Sequence, residues 1–182
     1  MSASLLHRMR PVTPGAAAVA RSLRAVSGPY LQGRRWAVVA DLTAIAALGI
    51  VAVYQAGLLR HLPDPPLGAA ASDRVAGSPR AYWTLHTPDS ALGIANYAAT
   101  LVLATAGSAE RYRNKPWLSY LFAAKLLADG MVAMVLLDEE WRSRDGFCTW
   151  CLVASGAALL AAPAGIPEAL AATRCLRRQR GH

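Results

Sequence analysis

Cys148 and Cys151 are the residues of this chain best suited to carry out chemistry. Cysteines at positions i and i+3 of a helix lie on one face, near enough to form a disulfide without rebuilding the backbone. They stand at the start of an apolar segment, in the motif Cys-Thr-Trp-Cys. At a helix N-terminus, free N–H groups and the helix dipole stabilise a thiolate, the reactive form of cysteine. The spacing therefore indicates a redox-active dithiol.

Other uses of such a cysteine pair fit the sequence less well. A structural zinc site needs four ligands, and Cys175 is the only other cysteine. A haem attachment site needs a histidine after the second cysteine, where this chain has Leu152. We therefore predict no metal. Two readings stay open on these residues: a dithiol/disulfide couple, or two small buried side chains without a redox role.

The segments around the motif have the composition of a membrane protein. The 182 residues are 54% hydrophobic and 16% charged, with a mean hydropathy of +0.27. A bilayer-spanning helix needs about 20 apolar residues, with about 17 as the lower limit. Four apolar stretches approach or exceed that length: Trp36–Leu59, Ser90–Gly107, Trp117–Leu137 and Phe147–Ala162. We predict an all-α, integral-membrane four-helix bundle over residues 36–165, flanked by basic tails at 1–35 and 166–182. A kink is expected at Pro163, and Pro167–Leu176 forms at best a short amphipathic helix.

Basic residues give the predicted bundle an orientation. Thirteen lie in the two tails and in the loop between the second and third stretches, against five in the other two loops. The positive-inside rule then makes both termini cytoplasmic. The same assignment puts Cys148 and Cys151 near the external face, where disulfides persist, and Cys175 on the opposite side. Topology accounts for the net charge of +8 without nucleic acid, for which the chain has no recognised motif. Residues 1–35 could also be a targeting segment.

Two motifs carry a resemblance to a known family. Cys148-Thr149-Trp150-Cys151 opens the last apolar stretch, and the run from Pro88 to Asn96 leads into the second. Together they resemble the membrane domain of the vitamin K epoxide reductase family, closely over about residues 73–160. The resemblance implies a membrane thiol–quinone oxidoreductase that oxidises external dithiols. Its electron acceptor would be a quinone of the menaquinone or ubiquinone type.

The resemblance also assigns roles to single residues. Cys151 would be the thiol next to the quinone, forming an adduct or charge-transfer complex with the ring. Cys148 would resolve it and later exchange with an incoming thiol, supplied by an external thioredoxin-like protein. Asn96 would hydrogen-bond a quinone carbonyl, although a polar residue there can instead bond the helix backbone. Ser155 stands where some members use a tyrosine, which favours a generic quinone over vitamin K epoxide. A bacterial inner membrane is the implied location.

The first external loop departs from the family pattern. Family members carry a second cysteine pair there, which relays electrons from a partner, and the segment Leu62–Asp89 has no cysteine. Ser72 stands in the position of one of them. An outside thiol then reaches Cys148 directly, or the protein does not turn over. The alternative function is therefore a non-catalytic membrane scaffold, or a quinone- or partner-binding protein, on the same fold.

Ionisable residues also occur inside the apolar stretches. Lys125 and Asp129 are four residues apart, so they share a helix face and can pair. Intramembrane charges mark functional sites by default, which allows a proton path or quinone-site electrostatics. We favour a mutually satisfied ion pair that holds the bundle together. Asp41, near the start of the first apolar stretch, has the same two possible roles, functional or structural. The acidic run Asp138-Glu139-Glu140 is interpreted as a solvated outer helix end.

Overall fold

A computed structural model describes residues 14–25, 29–64, 72–82, 87–143 and 146–180. Every regular element in these residues is helical, which confirms the all-α prediction. The α-helices are α1 (Pro14–Ala25), α2 (Pro29–Gln55), α3 (Ser72–Ala76), α4 (Asp89–Thr105), α5 (Arg111–Asn114), α6 (Pro116–Arg142), α7 (Thr149–Ala161) and α8 (Ile166–Arg180). Two 3-10 turns, Pro79–Tyr82 and Ala162–Gly165, complete the described elements.

Within the described residues, three segments are long and apolar enough to cross a membrane, where the sequence predicts four. They are Tyr30–Gln55, Pro116–Arg142 and Thr149–Gln179. Helix α4, the second predicted span, has 17 residues, which is at the lower limit of bilayer thickness. It packs against α2 and α6, and α7 packs against α2 and α6 as well. The dithiol motif therefore begins a helix that is surrounded by long apolar partners.

Small residues allow these helices to approach closely. The core around Tyr97 is built mostly from alanines of α2, α6 and α7. A Cβ added at Gly130 would lie 2.8 Å from the Cβ of Ala162, and one added at Gly165 would lie 2.7 Å from the Cα of Ala123. Both distances are shorter than real contacts, so only glycine fits. Close backbone approach through small residues is how helices associate in lipid, where the hydrophobic effect between them is absent.

The outward faces of the long helices are apolar. Trp36, Val102, Met131 and Leu160 are each more than 60% exposed. Monomeric soluble proteins rarely expose contiguous apolar surface of this extent. These faces are suited to contact with lipid tails.

The C-terminal segment is more ordered than predicted. The 3-10 turn Ala162–Gly165 contains Pro163 and joins α7 to α8, so the α-helix is interrupted where the sequence predicts a kink. Helix α8 runs for 15 residues rather than the ten predicted at most. It buries Glu168, Ala171 and Ala172 against the rest of the fold, whereas the sequence predicts a basic tail over residues 166–182. The four arginines that follow Ala172 gave the segment the composition of a basic tail and concealed this buried face.

Two arginines that the sequence assigns to topology are buried inside the fold. Arg34 is 2% exposed and donates to the backbone oxygens of Ala104 at 2.7 Å and Ser108 at 3.0 Å. Arg111 is 1% exposed and pairs with Glu168 at 2.7 Å. The last carbonyls of a helix have no partners within the helix, and a guanidinium offers five N–H donors to satisfy them. Arg34 thus closes the C-terminus of α4 from helix α2, which begins at Pro29 and not at the predicted Trp36.

Candidate functional site

Cys148 begins α7 as its N-cap. The Cys148 Sγ atom accepts a hydrogen bond from the Cys151 backbone N–H at 3.3 Å, which confirms the predicted helix start. All three cysteines of the chain are free thiols in this structure. Cys148 is fully buried, and Cys151 is half-buried. Within the described residues, no three His, Cys, Asp or Glu side chains are grouped so that they could hold a metal ion.

The environment of Cys148 favours its thiolate. A hydrogen bond from the Cys151 side chain is the main cause that lowers the pKa of Cys148, and the Cys151 backbone N–H and the Ser72 side chain act in the same direction. Burial opposes them, and so does the charge of Glu140. These hydrogen bonds therefore make the Cys148 thiol easier to ionise than an ordinary cysteine. A low-pKa thiol is the better leaving group in thiol–disulfide exchange.

Cys151 lines a cavity of about 450 Å³ between α2, α4, α6 and α7. Asn96 and Ser155 line the same cavity, so three of the four predicted site residues meet there. The apolar part of the wall includes Leu48, Leu92, Val132 and Leu136. Pockets for small organic ligands have volumes of roughly 300–1,000 Å³ and few polar groups in apolar walls. The size and the lining both fit a quinone ring.

Asn96 is held by a side chain rather than by the helix backbone. Its Nδ2 donates to Asp129 Oδ1 at 2.8 Å. Lys125 Nζ lies 2.6 Å from both oxygens of Asp129, which confirms the predicted ion pair. Thr100 Oγ1 also donates to Asp129, at 2.9 Å. One Asn96 N–H is thereby occupied, and the amide keeps a second N–H and an oxygen for the cavity.

Asp41 lies near the polar layer formed by Asn96, Thr100, Lys125 and Asp129, but its carboxyl group is not fully hydrogen-bonded. The side chain is 2% exposed, and its Oδ2 has no hydrogen-bond partner among the described residues. It interacts electrostatically with Asp129 and Lys125. An isolated carboxylate in an apolar interior is costly, whereas the Lys125–Asp129 pair is compensated. The layer therefore carries one carboxyl group more than its single ammonium group can neutralise.

Ser72 lies directly over the buried end of the dithiol. Its Oγ accepts the Thr149 backbone N–H at 3.0 Å and donates to Asp64. The same side chain contributes to lowering the pKa of the Cys148 thiol. The sequence predicts Ser72 at the position of a loop cysteine. Ser72 therefore lies next to the residue that follows Cys148, close to where such a cysteine would exchange with Cys148.

Further hydrogen bonds hold the segment that carries Ser72. Asp73 accepts the Leu62 backbone N–H at 2.7 Å and lies 2.8 Å from His61 Nδ1. The Leu62 hydrogen bond is the main cause that lowers the pKa of Asp73, with His61 adding to it. Tyr54 donates to the Asp73 backbone oxygen at 3.2 Å. Residues 62–64 and 72–76 form the outer cover of Cys148.

Glu140 is a site residue that sequence reasoning missed. The prediction of a solvated helix end is wrong for it, because Glu140 is half-buried and accepts the Cys148 backbone N–H. It also lines the cavity with Cys151, as does the buried Tyr97. The short connection between α6 and the motif was the available signal, since it returns the chain to the end of α6. Tyr97 could have been found from its position next to Asn96.

These features define a class: a helical membrane protein with a dithiol at a helix start beside an apolar cavity. The chain belongs to the vitamin K epoxide reductase family, whose family model matches residues 35–165. Members of this family are membrane oxidoreductases that link thiol–disulfide chemistry to quinones. No curated protein and no solved structure is similar enough to this chain to count as a match.

Proposed function

We propose that this protein is a membrane thiol–quinone oxidoreductase that oxidises external dithiols through Cys148 and Cys151. One observation carries the proposal: the two sulfurs have different neighbours. Cys151 lines the apolar cavity with Asn96 and Ser155, whereas Cys148 is fully buried near Ser72, which accepts the Thr149 N–H. Cys151 is therefore available to a quinone, and Cys148 becomes available to an incoming thiol when the outer cover of residues 62–64 and 72–76 opens.

The residues divide the reaction between them. A bound quinone supplies an acceptor for two electrons and two protons. Cys151 reacts at the cavity, and Cys148 closes the disulfide by attacking the Cys151 sulfur, so that both electrons leave the two thiols. Asn96 and Ser155 orient the acceptor by hydrogen bonds to its carbonyl oxygens. An external dithiol then attacks the disulfide and restores both thiols, because a low-pKa Cys148 leaves readily.

The cavity walls support a lipid-soluble acceptor. Val132 and Leu136 line the cavity from α6 and are 57% and 52% exposed. An apolar ligand can therefore enter between the helices from the bilayer. The missing tyrosine after Cys151 supports a quinone of the menaquinone or ubiquinone type over vitamin K epoxide.

The arrangement in the membrane follows from the same residues. We assign residues 36–165 to a four-helix bundle in which α4 crosses the bilayer, with basic segments at 1–35 and 166–182 in the cytoplasm. The distribution of basic residues supports this orientation. The dithiol then lies near the external face of a bacterial inner membrane, where a thioredoxin-like protein can supply electrons.

A second candidate function is a non-catalytic scaffold or binding protein. Cys148 is fully buried, and Ser72 occupies the place of the cysteine that would relay electrons to it. If the cover of Cys148 never opens, the dithiol cannot be reduced from outside. Such a protein would bind a quinone or a partner without turnover.

Reductive cycling separates the two candidates. The purified protein is given a soluble dithiol and a short-chain quinone without oxygen, and quinol is followed by absorbance. Turnover that disappears in Cys151→Ser and persists in Cys175→Ser supports the oxidoreductase. Quinone binding without turnover supports the scaffold.

A further inference from the structure

The carboxyl group of Glu140 lies beside the dithiol, and the reaction proposed above gives it no role. Glu140 belongs to the last turns of α6, and its Oε1 accepts the Cys148 backbone N–H. Its side chain lines the cavity that Cys151 also lines. It is half-buried, so solvent reaches one side of the group. One side chain thus meets the redox motif, the cavity and the surface.

The reaction requires protons to move through this region. Closing the disulfide removes two protons from the thiols, and a quinone takes up two protons when it becomes a quinol. The cavity walls are largely apolar, so water is a poor carrier within them. A carboxyl group within reach of both partners can accept and return a proton, and such general acid–base catalysis accelerates reactions by roughly 10²–10⁴-fold.

We propose that Glu140 carries the proton from the dithiol to the quinone. The proposal rests on the proposed function. As the Cys148–Cys151 bond forms, the carboxylate takes one thiol proton and delivers it to a quinone oxygen. The other thiol proton reaches the second oxygen through solvent at the cavity mouth. Two electrons pass from the sulfurs to the ring, and Glu140 ends in the state in which it began.

The other charged groups around the cavity are placed differently. Glu139 of α6, Asp89 of α4 and Arg80 of the 3-10 turn line it, but all three are exposed. Among the described charged groups that line the cavity, Glu140 is the one that accepts a hydrogen bond from the motif. Cys148 and Cys151 face Glu140 from the start of α7, and the charge of Glu140 acts on both cysteines. Glu140 is therefore the group whose protonation follows the state of the dithiol.

The variant Glu140→Gln separates a proton carrier from a structural contact. Glutamine keeps a carbonyl oxygen for the Cys148 N–H but cannot carry a proton. We expect quinol formation from the pre-reduced protein to slow about 100-fold and to lose its pH dependence. Oxidation of both thiols by diamide, which needs no quinone, should keep its rate. Asp138→Asn is the matched control, since Asp138 is a 57% exposed carboxylate near the same helix end.

Each outcome decides a separate point. Glu140→Gln at the wild-type rate and pH profile overturns the proposal for Glu140 and leaves the oxidoreductase intact. An unaltered protein that forms no quinol refutes the oxidoreductase itself. If Glu140→Gln does not fold, infrared difference spectra of the unaltered protein with isotope-labelled glutamate replace it. A glutamate carboxyl band that changes between dithiol and disulfide forms is expected, and its absence overturns the proposal.

Discussion

Replacement of Ser72 by alanine should expose Cys148 to reagents in solution. Cys148 is fully buried, so a thiol or an alkylating agent reaches it only when the outer cover moves. Ser72 holds that cover to α7 through the Thr149 N–H at 3.0 Å and holds Asp64 through its own O–H. Alanine removes both hydrogen bonds.

The size of the effect follows from these two contacts. Each intramolecular hydrogen bond contributes about 1 kcal/mol net, so the closed state loses about 2 kcal/mol. Every 1.4 kcal/mol is a factor of about ten in an equilibrium constant, which gives about 30-fold more open state. When opening and closing are fast, the rate of modification follows the open population. We expect Cys148 to be alkylated about 30-fold faster.

The assay is alkylation by a maleimide, followed by peptide mass spectrometry. It is done at alkaline pH, so that altered thiol ionisation does not mask the change in access. Ser119→Ala is the matched control, because Ser119 is equally buried and donates to Glu168 at 3.0 Å, far from the motif. Equal rates for Cys148 in Ser72→Ala, Ser119→Ala and the parent protein would refute the idea that Ser72 keeps the cover closed.

Three further predictions test other parts of the structure. Ser72→Cys should form a disulfide with Cys148 under mild oxidation, seen as a linked peptide pair. If all the peptides are found unlinked, residue 72 does not lie next to Cys148. Glu168→Ala leaves the guanidinium of Arg111 buried without its carboxylate, since both are 1% exposed, and should cost about 3–5 kcal/mol in detergent unfolding. A loss below about 1 kcal/mol would mean that water reaches the pair. Hydrogen bonding lowers the pKa of Asp73 in the folded protein. The carboxylate therefore stabilises the outer cover above the ordinary carboxyl pKa of 3.8, and this stabilisation is lost as pH falls through the lower pKa of the folded state. Pepsin should then cut the outer cover faster as the pH falls below about 3.8, and Asp73→Asn, cut at the same pH values, should show no such increase.

The sequence predicts the local part of the site well. The dithiol at a helix start depends on neighbouring residues, and so does the Lys125–Asp129 pair, which is set by an i, i+4 spacing. The interruption of the α-helix at Pro163 is local too, because proline removes a backbone donor. Features of this kind need only the period of a helix.

Contacts between distant segments are harder to predict. Ser72 meets Thr149 across 77 positions, and Arg34 meets Ala104 across 70. An arginine near a helix end has the same sequence signature whether it faces lipid headgroups or closes a neighbouring helix. Glu140 had the pattern of a solvated acidic helix end, and only the return of the chain after α6 brings it to Cys148.

The central claim is that Cys148 and Cys151 pass two electrons to a quinone. It is tested most directly by mass spectrometry of the fully reduced protein after anaerobic addition of a short-chain ubiquinone or menaquinone analogue. We expect a Cys148–Cys151 disulfide to form with one quinol per disulfide, while Cys175 stays open to alkylation. If both cysteines of the motif stay reduced while quinone is present in excess, the claim is wrong.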